Sequence, residues 1–228
     1  LMISVLVKLV FLFLTIITVK HIIDIKKFNS NSQLIYLTDI SQLEHNKTIM
    51  DPVQIDYDFY NDTTIDRLTE SNPKRYFLQN DKCLRYSDFE KDDTMIFKNR
   101  ELFGELKCET IANSLCESFV TMYSFNRLFY GSIFRGKCIT PKTKNKNNTY
   151  LIGCLNGECM IYLYNPKHND YINDRNDKKW AIPTTLKRNQ LIYIPTNWHY
   201  RIETVDECIL FHISIDTYFT SLYNEYRN

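Results

Sequence analysis

Apolar and polar positions divide the chain into an apolar N-terminal stretch, a polar connector and a long region of alternating strand-like runs. Residues 1–19 are almost wholly apolar, broken only by Lys8, and Lys20-His21 then opens a polar flank. No polar face recurs over about five turns, the pattern of a helix that is apolar all round. A spanning helix needs roughly 20 such residues. The expectation is therefore a single-pass membrane anchor over residues 1–23, with the membrane as its partner and Lys8 snorkelling toward the headgroups. Lys20, Lys26 and Lys27 then place the main domain on the cytosolic side. A cleaved signal peptide competes, with Lys8 in its basic region and residues 9–19 as its apolar region, but no small-x-small cleavage site follows Val19.

Residues 24–50 read as a polar tether with one short apolar patch, Leu34-Ile35-Tyr36-Leu37. Arg75-Tyr76-Phe77-Leu78, after the Asn72-Pro73 turn, is a candidate strand. Between residues 101 and 125, Ile111, Leu115, Phe119 and Met122 recur at spacings of three and four, which predicts one helix with an apolar face. From Asn126 onward the period shifts to strands, over residues 128–134, 149–155, 158–164, 191–194, 201–204 and 208–215. Asn156-Gly157 predicts a type I′ turn that would make residues 149–155 and 158–164 a hairpin. A short helix is expected over residues 217–226, with Phe219, Leu222 and Tyr226 on one side. The fold class this implies is mainly β with flanking helices (α+β), a sandwich or jelly-roll barrel, within a domain over residues 51–228 whose core spans about 128–215.

Composition narrows the choice of partner. With 28 basic and 27 acidic residues interspersed over 228 positions, the net charge of +1 leaves no electrostatic footprint for nucleic acid. Scarce glycine and abundant Tyr and Phe suit a strand-rich domain better than a Gly-looped nucleotide binder. The seven cysteines form no C-x-x-C pair and no zinc-type spacing, so a reducing compartment is the simpler reading. Sequons at Asn46, Asn61 and Asn147 occur at a frequency chance explains.

The most informative run is Leu191-Ile192-Tyr193-Ile194-Pro195-Thr196-Asn197-Trp198-His199-Tyr200-Arg201-Ile202-Glu203. A β-branched and aromatic strand stops at a proline, turns through a polar corner with a tryptophan, and leaves as a second strand with a histidine at its mouth. With Leu155-Asn156-Gly157-Glu158 leading into a strand that ends at Asn165-Pro166, and Asn189-Gln190 leading into residues 191–195, this resembles the Jumonji-C and related cupin-like hydroxylases over residues 130–215. The resemblance implies a double-stranded β-helix and, in active members, Fe(II) held by two histidines and a carboxylate with positions open for 2-oxoglutarate and oxygen.

Carried over residue by residue, that ligand set is altered. The first two ligands, written His-x-Asp or His-x-Glu in the family, fall on Lys144-Asn145-Lys146, and ammonium groups repel a ferrous ion. The last histidine falls on Tyr200, with His199 one residue early, and a one-residue step along a strand reverses the side chain. The family's 2-oxoglutarate lysine corresponds to Cys159. The resemblance thus implies a barrel with no catalytic residues and no cofactor, acting as a binding or scaffolding module for a protein, peptide or small ligand, with Trp198, His199, Tyr200, Cys159 and Arg201 as pocket candidates. The alternative is an active Fe(II)/2-oxoglutarate-dependent dioxygenase with His199, His168, Asp170 or His212 as ligands. A third reading takes Asp56-Tyr57-Asp58 as the Asp-x-Asp pair of an anchored glycosyltransferase holding a divalent metal. Plainer roles stand beside these: Trp198 as corner packing, His212 as a structural strand histidine, His168 as a solvated loop residue, and Lys144 and Lys146 as parts of a basic loop.

Overall fold

The computed structural model describes residues 2–26, 33–40, 51–79, 82–86, 93–119, 124–171, 177–217 and 220. Its first element is the helix α1 (Met2–Lys26). The expected membrane anchor is not supported, because among the described residues no helix is long and apolar enough to cross a membrane. The single-pass membrane localisation is corrected with it. Lys8, Lys20 and Asp24 interrupt its apolar sequence, whose longest stretch without a charge is residues 9–19. At about 1.5 Å per residue that run is roughly 16 Å long, half of the ~30 Å of a hydrocarbon core. Thr15 and Thr18 within it return their hydroxyls to the carbonyls of Phe11 and Leu14.

The rest of the described chain is mostly β. One sheet runs in the order β1 (Ile35–Leu37), β2 (Val53–Asp56), β11 (Gln190–Pro195), β9 (Thr149–Tyr164), β13 (Cys208–Thr217), β6 (Ser124–Arg135) and β5 (Thr94–Asn99). In the other, β10 (Ala181–Lys187) and β12 (His199–Thr204) flank the second half of β9, and β12 also pairs with β7 (Cys138–Ile139) and β8 (Thr143–Lys144). β3 (Tyr76–Gln79) and β4 (Lys82–Arg85) form a separate antiparallel pair. The apolar patch in the expected tether becomes β1, which lies parallel to β2.

The Asn156-Gly157 hairpin does not form. β9 is one continuous strand of 16 residues. A type I′ turn needs positive φ at both central residues, and here only Gly157 has it, at 75°. Instead of reversing the chain, the glycine lets the strand leave one sheet and enter the other. Before it, β9 pairs with β11 and β13; after it, with β10 and β12. Cys208 sits opposite Gly157, and β13 slips register against β9 just beyond, between Ile209 and Leu210.

Side-chain alternation then sorts two cores. Cys208 and Leu210 of β13, with Tyr150, Ile152 and Cys154 of β9, face Cys159, Ile161, Leu163, Tyr200 and Ile202 across the space between the sheets. Ile209, Phe211, Ile213 and Ile215 point the other way, onto Leu102, Phe103, Leu106, Ala112 and Leu115. β13 is consequently buried along its whole length. The covering layer contains α3 (Arg100–Glu105) and α4 (Glu109–Phe119), so the single helix expected from residue 101 is two, interrupted around Lys107 at φ 53°. Asn99 caps α3 by accepting from the Leu102 amide, and Thr64 caps α2 (Ile65–Ser71) by accepting from Arg67. Met122 and most of the expected C-terminal helix lie outside the described residues.

Two glycine substitutions separate these roles. A Cβ on Gly157 would run into the Glu207 carbonyl and force an L-residue into the left-handed region. Gly157→Ala is expected to lower unfolding free energy by about 1–3 kcal/mol in urea titrations, and more if the Glu207 strand end cannot shift. Gly104 in α3 has open space around its Cβ position, so Gly104→Ala should be neutral or stabilise by up to about 1 kcal/mol.

Candidate functional site

A chain of polar groups crosses the apolar space between the sheets. His212 of β13 is fully buried. Its Nδ1 lies 2.9 Å from the Tyr150 hydroxyl and its Nε2 2.7 Å from Ser132 Oγ. Tyr200 extends the chain, its hydroxyl donating to that of Tyr150 at 3.0 Å. Both ring nitrogens of the neutral imidazole are therefore engaged, one as donor and one as acceptor. Burial first and the Lys98 charge second hold His212 well below its ordinary pKa, so it is neutral. Burial likewise drives the phenol of Tyr150 far above the usual tyrosine range and that of Tyr200 upward.

Lys98 closes one side of this cluster. It lies at the end of β5, where pairing with β6 slips between Ile96 and Asn99, and it adopts a positive φ of 54°. Its amide donates to Ser132 Oγ at 2.9 Å, fixing the bulge to the same network. Its Nζ stands 4.5 Å from the centre of the Tyr150 ring and 5.2 Å from that of Tyr200. Among the described residues the ammonium has ring faces for company and no carboxylate in ion-pair range. Desolvation pushes its pKa down to about 8. The His212 position was accessible from alternation, with Phe211 and Ile213 on either side. Lys98 was not, because a bulge breaks the period from which its direction would be read.

The residues singled out in the sequence are distributed as follows. Alternation along β12 turns Tyr200 and Ile202 inward and leaves His199, Arg201 and Glu203 half-buried on the other face. His199 lies opposite Lys144 on one side and Tyr164 on the other. Its Nδ1 is buried and has no hydrogen-bond partner among the described residues. Burial, with Lys144 and Lys142 contributing, lowers its pKa to about 4. Trp198 is buried in the core between the sheets, and its carbonyl accepts from the Asn145 amide. Asn145, in the middle of the Lys-Asn-Lys triplet, also donates through its side chain to the Ile194 carbonyl at 2.8 Å, tying the polar corner down.

Arg201 pairs with Glu203 at 3.2 Å and lies over the Tyr162 ring. Cys159 belongs to a buried thiol group at the Gly157 end, where Cys154 and Cys208 are 4.0 Å apart. His168 packs against Trp180, with ring centres 5.1 Å apart. The Asp170 side chain lies outside the described side chains. Asp56 accepts from Gln190 and Asp58 from the Tyr60 amide, both exposed. His199, His168 and His212 thus make three separate sets of contacts. Among the described residues no group of three His, Cys, Asp or Glu side chains could hold a metal ion.

The network predicts an asymmetry between two phenylalanine substitutions. Tyr150→Phe removes the partner of both Tyr200 and His212, whereas Tyr200→Phe removes only a donor to Tyr150. Each buried group left unsatisfied costs about 1–3 kcal/mol, so Tyr150→Phe should be the more destabilising in urea unfolding. The histidines also set a pH dependence. Both are neutral when folded but protonate near 6.5 when unfolded, so unfolding takes up protons below that pH and stability falls as the solution is acidified. The His199 contribution runs from about pH 6.5 to about 4. His199→Gln should remove close to one proton from the uptake measured between pH 6 and 5, a slope of about 1.4 kcal/mol per pH unit. No family model and no curated protein matches the chain.

Proposed function

We propose that this chain is a cupin-like barrel of the Jumonji-C type that binds a small carboxylate-bearing ligand without a catalytic iron. The observation that carries this reading is the direction of the side chains on β12. At the corner where the resemblance expects an inward histidine, the inward residue is Tyr200, and its hydroxyl is bonded to Tyr150; His199 points to the other face. The strand pairing also supports the alignment. Lys144, the position equivalent to the family's first ligand, lies opposite His199 on β12. The two positions are neighbours in space but carry an ammonium and an imidazole that burial and nearby lysines keep neutral.

The binding role follows from Lys98. An ammonium on a half-buried side chain, set over two phenol rings with no carboxylate beside it among the described residues, is a cation whose counter-charge a ligand can supply. A carboxylate gains a charge-assisted contact there in a place of reduced dielectric, where it is worth more than at the open surface.

The test uses the purified chain in low salt with succinate as the carboxylate probe. At about ten times its Kd, succinate should add about 1.4 kcal/mol of stability, a rise in Tm of roughly 3–6 °C for a domain of this size. The rise should disappear in Lys98→Met. A parallel sample loaded anaerobically with ferrous iron should retain no stoichiometric metal after desalting. Iron that is retained, lost on His199→Ala, and accompanied by 2-oxoglutarate turnover would overturn the reading in favour of a working dioxygenase. No succinate effect in the wild type would remove the binding role.

A further inference from the structure

We infer that Lys98 is a covalent site, a nucleophilic amine that forms an imine with a small aldehyde ligand at this end of the barrel. The inference deepens the proposed binding role by naming a reaction at the same residue, but it requires no carboxylate on the ligand.

Three features of Lys98 bear on its reactivity. First, among the described residues no carboxylate stands beside its ammonium. Lys178 is held as an ammonium by Glu203 at 2.9 Å, whereas Lys98 Nζ faces the rings of Tyr150, Tyr200 and Phe97. Second, its backbone is pinned. The amide bond to Ser132 Oγ and the bulge fix where the side chain starts. Third, the residue as a whole keeps partial solvent exposure, as Lys142 and Lys144 do. A pKa near 8 leaves a substantial share of the amine unprotonated at neutral to mildly alkaline pH.

The chemistry balances without any further reagent. The ammonium releases a proton to solvent, and the nitrogen lone pair adds to the carbonyl carbon as the C=O π pair moves to oxygen. Proton transfer from nitrogen to oxygen gives a carbinolamine. Loss of the hydroxyl with a proton from nitrogen, as one water, leaves the C=N bond: amine plus aldehyde gives imine plus water. The protonated imine is again a cation, and the two phenol faces that held the ammonium remain in place to hold it.

The experiment treats the full chain with butyraldehyde and sodium cyanoborohydride from pH 6 to 10, followed by peptide mass spectrometry. At limiting aldehyde, the expected result is a butyl adduct concentrated on Lys98, formed at least about 10-fold faster than on any other lysine at pH 8. Its rate should be half-maximal near pH 8. Lys98→Arg, which retains a cation over the rings, should fold and lose the fast adduct. An adduct spread over many lysines with Lys98 not enriched would overturn the inference, as would a Lys98 rate still rising steeply above pH 9. If Lys98→Arg fails to fold, the wild-type site map and pH profile decide alone. Butyraldehyde carries no carboxylate and succinate no carbonyl, so failure of the adduct and failure of the binding role are read separately.

Discussion

The structure depends on one strand that serves two sheets. β9 gives its first half to the sheet containing β11 and β13 and its second half to the sheet containing β10 and β12. The changeover needs a residue that adopts a positive φ and has no Cβ, because the Glu207 carbonyl occupies the space where one would lie. Once that passage is made, the spacing of the sheets is set along the rest of β9, and β13 is buried on both faces. Every inward residue discussed here inherits its position from this constraint, since period-two alternation propagates from the point where register is fixed.

Within that frame the molecule places polar groups where packing alone would favour hydrocarbon. Burying an imidazole, two phenols and a hydroxyl is unfavourable unless each finds a partner. Here the chain from Tyr200 through Tyr150 and His212 to Ser132 supplies them, and Lys98 joins through its amide. The network restricts the rotamers of its members, because rotation of any ring away from its partners leaves a donor or acceptor unmatched in a medium of low dielectric. Lys98 differs in kind: its backbone is satisfied and its ammonium faces aromatic carbon. That contrast between a satisfied network and an under-compensated charge marks this part of the space between the sheets as the place to look for chemistry.

Several elements were readable from local pattern. The strands over residues 128–134, 191–194, 201–204 and 208–215 lie within β6, β11, β12 and β13, because β-branched and aromatic runs bounded by turn residues have few alternatives. The one-residue offset between His199 and the inward position also followed from alternation, and β12 preserves it. Local pattern failed where one signal was compatible with two backbones. Asn156-Gly157 satisfies a reversing turn and a sheet-crossing bend equally well, and only the neighbouring strands choose between them. The composition of the apolar N-terminal run suggests a membrane span, yet with charges at Lys8, Lys20 and Asp24 no helix among the described residues is long and apolar enough to cross one. Lys98 was invisible because the bulge at β5 breaks the period that would have given its direction.

By itself the sequence determined the β-rich character of the chain, the faces of its regular strands, and the absence of a His-x-Asp or His-x-Glu pair at the positions where the resemblance seeks one. These are properties of short windows, governed by propensity and by a period of two. Tertiary structure alone decided that β9 runs on through Gly157, that Tyr150, Tyr200, His212 and Ser132 converge, and that the Lys98 ammonium lies over two of those rings. Each of those outcomes depends on groups far apart in the chain, such as Ser132 and His212, 80 residues from one another. Their contact energies exist only after the strands between them have paired, so no local pattern could carry them.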